Sequence, residues 1–83
     1  MQTYLEKRQP AKNMSRFYRM AVLPNLFGEW TLYREWGRIG QGGQVRMDWF
    51  ADENQAVAAL ITLEAAKRQR GYWVEPQQLA MFG

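Results

Sequence analysis

The sequence has no cysteine and no histidine among its 83 residues. Without cysteine there is no disulfide framework and no thiolate nucleophile. Without histidine the commonest general base is gone, and the two absences together remove the usual ligands for zinc. No metal, cofactor or small-molecule substrate is expected. Carboxylates stand at Glu35 and Asp48, but no spacing sets up an acid/base pair, so no enzymatic activity is expected either. No run approaches the roughly 20 apolar residues needed to span a membrane. The first residues, MQTYLEKRQPAKN, lack the apolar stretch and cleavage site of a signal peptide. A reduced intracellular compartment fits, and the expected location is the cytoplasm, with association to the nucleoid.

What the sequence does contain is aromatic and basic. Twelve Phe, Trp and Tyr residues give a small core large rings to bury. The net charge is +3, unevenly spread. Residues 1–51 hold eight bases (Lys7, Arg8, Lys12, Arg16, Arg19, Arg34, Arg38, Arg46) against four acids (Glu6, Glu29, Glu35, Asp48), a balance of +4, and the remainder is −1. A basic half suits a polyanionic partner. An ordinary solvated surface explains +4 equally well.

Alternation marks four strands. TYLEKR (3–8) is followed by a loop, QPAKN, with breakers at Pro10 and Asn13. SRFYRMAVL (15–23) puts Tyr18, Met20 and Val22 on one face and Phe17, Arg19, Ala21 and Leu23 on the other. Turn residues at Pro24, Asn25 and Gly28 precede WTLYREWGRI (30–39). After the corner GQGG (40–43), QVRMDWF (44–50) sets Val45, Met47 and Trp49 against Gln44, Arg46 and Asp48. The period then changes to helical over 51–71. Asp52 is the N-cap, Gln55 completes a capping box, and Gly71 is the expected residue after the C-cap. Glu53 and the group Lys67, Arg68 and Arg70 complement the helix dipole. Val57, Leu60 and Ile61 are expected to pack onto the sheet, with Ala56, Ala59 and Leu63 widening the stripe. Tyr72 or Trp73 is expected to fold back over one end of the core. The expected fold is α+β: a small antiparallel sheet of about four strands with one main C-terminal helix on one face. Residues 1–75 form the domain, and 76–83 follow Pro76 as a tail.

Along the third strand Trp30, Leu32, Arg34, Trp36 and Arg38 share a side. Arginine is almost never fully buried without a partner, so the Trp36–Arg38 end of this side should be open. A ring beside a guanidinium offers a sugar or base a platform and a phosphate a cation. The nearby glycines let a ligand approach the main chain. The alternative is a wide hairpin corner with Trp36 half-buried and Arg38 in a surface ion pair, for instance with Glu35. The glycines match neither a Walker A loop nor the dinucleotide GxGxxG, because they lie between two strands.

The stretch RFYRMAVL…WTLYREWGRIG, with the helix ending KRQRGYW, resembles the WGR domain, a family named for the motif at Trp36, Gly37 and Arg38. Its members include domains of DNA-dependent poly(ADP-ribose) polymerases and short bacterial versions. The similarity covers roughly residues 3–73 in element order. It implies a sheet-and-helix module that binds nucleic acid, with a role at DNA breaks and in repair. In the polymerases the motif tryptophan packs against a sugar near a break, and the arginine contributes to the DNA-bound assembly. The resemblance makes Trp36 the sugar platform and Arg38 a phosphate or partner contact. Gly37 and Gly40 belong to the same motif region, and charge and location add Arg34, Arg46, Lys67, Arg68 and Arg70. The partner is expected to be DNA, or RNA. These residues contain no ADP-ribosyltransferase domain, so no NAD chemistry is expected of them. The second reading is a protein-interaction module, since Trp, Tyr and Arg also dominate protein interfaces. The tail peptide Gln78, Leu79, Ala80, Met81, Phe82 resembles the segment that bacterial proteins insert into the DNA sliding clamp, and packing of the same apolar residues on the domain is the alternative.

Overall fold

The computed structural model describes residues 1–73. The elements are β1 (Gln2–Gln9), a single 3-10 turn (Pro10–Lys12), β2 (Met14–Pro24), β3 (Trp30–Arg38), β4 (Gln44–Phe50) and α1 (Glu53–Gln69). The strands form one antiparallel meander in the order β1-β2-β3-β4, and α1 lies across one face. This is the α+β architecture expected from the alternation and the single helical period. The loop expected at 9–13 contains the 3-10 turn, which Asn13 closes in the left-handed conformation, its N–H donating to the Pro10 carbonyl.

The helix starts at the expected N-cap, with half of the expected capping box: among the described residues the Gln55 side chain makes no bond back to the Asp52 N–H. The Asp52 carboxylate accepts the Gln55 backbone N–H at 2.9 Å. It ends on Gly71, at φ 97°, where a side chain would be strained. The N–H of Gly71 donates to the Arg68 carbonyl and that of Tyr72 to the Lys67 carbonyl, the pairing of a Schellman motif. That motif reverses the chain and turns Tyr72 back onto the sheet. The ring meets Tyr18 edge-on, with centroids 6.3 Å apart. Trp73 then pairs with the outer edge of β1 through two backbone hydrogen bonds to Glu6, each 2.9 Å. Of the two rings expected to fold back, Tyr72 is the one that covers the core.

The core lies between α1 and the sheet. Tyr18, Met20 and Val22 from β2, Leu32 from β3, and Ala56 and Leu60 from α1 are buried together. Burial of each fully enclosed side chain (Leu5, Met20, Leu32, Leu60) contributes about 1.5–3 kcal/mol. Val57 is half-buried against this cluster. Ile61 corrects the expected stripe, because it is 51% exposed. It lies about 100° round the helix from Leu60, beyond the stripe of Ala56, Val57, Leu60 and Leu63 that meets the sheet. Its place is taken by Glu64, whose carboxylate accepts a 2.7 Å hydrogen bond from Thr3 on β1.

The glycine corner is explained by close approach. A Cβ on Gly37 would stand 2.9 Å from the Gly43 Cα. A Cβ on Gly43 would collide with the Trp36 carbonyl oxygen and lie 3.1 Å from the Phe17 ring. The chain between β3 and β4 therefore folds back over Gly37 and Phe17, and it leaves Phe17 buried although it sits on the face away from the helix. Two bare backbones make this possible.

Candidate nucleic-acid interface

Strand register builds the site. Arg16 lies directly opposite Arg38 in the β2–β3 pair, and Lys7 directly opposite Arg16 in the β1–β2 pair. Directly opposed residues share a face, so Lys7, Arg16 and Arg38 form a rung of three cations on the helix side of the sheet. The next rung on that face is Leu5, Tyr18 and Trp36. The Trp36 and Tyr18 rings stack with centroids 5.6 Å apart at 14°. Arg16, Trp36, Gly37, Arg38 and Tyr72 together line a cleft of about 310 Å³. Trp36 is half-buried and Arg38 exposed, so the ring is seated on Tyr18 and still borders the opening.

Like charges directly opposite each other across strands destabilise a sheet. Among the described residues no carboxylate pairs with Lys7, Arg16 or Arg38. Arg38 instead donates to the Asn13 carbonyl at 3.4 Å. Its suggested partner Glu35 lies on the other face, paired with Arg19 at 3.2 Å. Lys7 places its Nζ 5.9 Å from the centre of the Tyr72 ring, on the rim of the cleft.

Lys67 joins the site from α1. Its Nζ sits 4.5 Å from the centre of the Tyr18 ring. Burial, reinforced by the charges of Arg70 and Arg34, pushes its ammonium below the ordinary lysine value. Arg70 is exposed at the helix C-cap. The other expected residues are placed differently. Gly40 occupies the exposed turn after β3 and does not line the cleft. Arg68 lies 3.7 Å from Glu64 one helical turn earlier. Arg34 is on the helix side, but its side chain is only 14% exposed and bonds Asp48 at 2.8 Å. Arg46 is exposed and meets the other oxygen of Asp48 at 3.3 Å. Arg34 and Arg46 therefore serve one carboxylate and stay outside the cleft lining.

Arg16, Lys7 and Tyr72 are the residues that sequence reasoning did not assign to the site. Alternation does place Arg16 on the face of Tyr18, two residues ahead of it. Its position beside Arg38 depends on the register of β2 and β3, which alternation does not give.

Asp48 gives the domain an acid sensitivity. Burial pushes its carboxyl up, but the Arg34 hydrogen bond and the charges of Arg46 and Arg34 outweigh this and hold it below the usual carboxylate range. A carboxyl whose value is lower folded than unfolded stabilises the fold fully above the unfolded value. That stabilisation is lost as pH falls through the folded one. Unfolding in urea should therefore show stability falling on acidification below about pH 4. Asp48→Asn should remove this component of the slope and cost about 1–3 kcal/mol at neutral pH, since Arg34 loses its charged partner. An unchanged acid profile in that variant would assign the slope to other carboxylates.

The WGR domain family model matches residues 1–78. The uncharacterized protein y4dW of Sinorhizobium fredii is 45% identical over 73 residues, which is 88% of this chain and 36% of that protein. The chain thus spans about a third of the length of this curated relative. No solved structure is significantly similar to it. No helix of the described residues is long and apolar enough to cross a membrane. The Trp36-Gly37-Arg38 motif at the mouth of the cleft, the four-stranded sheet under one helix and the match along nearly the whole chain agree: the chain belongs to the WGR domain family.

Proposed function

We propose that this domain is a non-enzymatic nucleic-acid-binding module that recognises DNA at ends or breaks. Trp36 is the platform for a sugar or base, and Arg16 and Arg38 are the phosphate ligands, with Lys7 and Lys67 adding positive potential. The observation that carries the reading is the rung of three cations, without carboxylate partners among the described residues, beside a stacked indole. Such a rung opposes folding and is compensated when a polyanion occupies it. Arg34 and Arg46 have a structural duty to Asp48, which leaves them a lesser part in binding.

The test is a binding competition among linear duplex, nicked circle, closed circle and RNA hairpin at two salt concentrations. Linear and nicked DNA are expected to compete best. Affinity is expected to fall with salt as phosphate contacts release counterions, with a log–log slope of about −0.9 per contact. Equal competition by the closed circle would remove end recognition and leave general binding. No binding to any of the four at low salt would favour the protein-interaction reading. The sliding-clamp role of Gln78, Leu79, Met81 and Phe82 falls outside the described residues and is supported by the tail's sequence alone.

A further inference from the structure

The face of the sheet turned away from α1 has no part in the nucleic-acid reading. Alternation places Leu23 and Trp49 in one cross-strand row, Tyr33 and Met47 in the next, and Arg19, Glu35 and Val45 in a third. Trp49 is 62% exposed, Leu23 53%, Val45 50% and Met47 48%. At roughly 150–250 Å² for a tryptophan and about 100 Å² for each aliphatic side chain, these fractions leave on the order of 300 Å² of apolar surface open on this face. A patch of this size falls among the largest that monomeric proteins expose, and those are often functional. It would supply the larger part of the apolar area that one partner brings to a standard interface, where about 800 Å² per side is buried and somewhat more than half is apolar.

Charge separates the two faces. The helix side of the sheet carries Lys7, Arg16, Arg34, Arg38 and Arg46 against one acid, Asp48. The outer side carries two bases and two acids, and these pair with each other as Arg8–Glu6 and Arg19–Glu35. A polyanion has nothing to gain from this neutral surface. A second copy meets no like-charge penalty there. An isologous contact needs a self-complementary patch. Apolar rows with one base and one acid beside them meet that need, because each copy's Arg19 can face the other's Glu35.

We propose that the chain forms a two-fold dimer, packed sheet on sheet, through the face of its sheet that is uncovered among the described residues. The two Trp36 clefts lie on the opposite faces and both stay open. A dimer thus holds two nucleic-acid sites in fixed relation, which raises avidity for any substrate able to reach both. The self-association itself does not depend on the nucleic-acid reading.

The test is sedimentation equilibrium of the full chain from low micromolar to several hundred micromolar, without nucleic acid. Wild type is expected to move from the 9.8 kDa monomer to twice that mass. Trp49→Glu and Leu23→Lys, both at exposed positions, are each expected to stay monomeric at the top concentration while keeping the wild-type circular dichroism spectrum. A wild type that remains monomeric throughout overturns the proposal. So does a dimer that survives both substitutions, since its contact then lies elsewhere.

Discussion

The combined variant Arg16→Ala/Arg38→Ala is expected to bind linear DNA about a hundredfold more weakly than wild type at moderate salt, a loss of about tenfold per phosphate contact. Its salt dependence should be shallower by about two contacts. The two arginines are opposed across β2 and β3 and both line the cleft. Neither has a carboxylate partner among the described residues, so their removal breaks no ion pair. The variant should be no less stable than wild type in urea, because a like-charge pair has been relieved. This combination, binding lost and stability kept, distinguishes a ligand site from a structural one. Filter binding or fluorescence anisotropy measures the first, and circular dichroism the second. Affinity within a factor of two of wild type in a folded variant would remove the cleft from the account. Trp36→Ala is a less clean probe, since the indole stacks on the buried Tyr18 and its loss also disturbs the core.

The largest expected loss of stability comes from one methyl group. Gly43→Ala places a Cβ against the Trp36 carbonyl oxygen, 3.0 Å from the carbonyl carbon and 3.1 Å from the Phe17 ring. Two of these three atoms are backbone in the central strand and have little freedom to move. The overpacking is expected to cost about 3 kcal/mol, which lowers Tm by roughly 15 °C in a domain of this size. Gly42→Ala is the control, because a Cβ there meets no atom within 4 Å. That substitution should fall within about 0.5 kcal/mol of wild type. Equal melting temperatures for the two variants would show that the corner opens freely, and the fold-back over Phe17 would lose its structural role. Binding by Gly43→Ala should weaken along with stability, since Trp36 is fixed at the base of the same corner.

The two substitutions separate what glycine and arginine do in the same short stretch. Room for a ligand is the smaller part of what the glycines provide. Gly37 does line the cleft, but its missing side chain on the other face is what admits the Gly43 backbone. Gly40 only forms the turn. The geometry assigns the glycines chiefly to shaping the corner and the arginine rung to the chemistry.

By itself the sequence determined the strands, their faces, both helix caps and the motif at Trp36 and Arg38. Each of these follows from local rules: alternation along a strand, a carboxylate ahead of a helix, a glycine behind it. It also showed that an arginine on an apolar strand face needs an opening or a partner, and Arg38 has the first and Arg34 the second. Only the tertiary structure decided which of the two each receives. Arg34 finds Asp48 fourteen residues away because β3 and β4 pair in one register. Arg16 and Lys7 reach Arg38 because β1, β2 and β3 pair in theirs. Ile61 faces water because the helix is seated on the sheet through Ala56 and Leu60, which turns Ile61 to its flank. The physical reason is common to all three. Periodicity fixes the side of an element on which a residue stands, whereas its neighbour across the sheet depends on turn geometry and on pairing between distant segments, which no single stretch encodes.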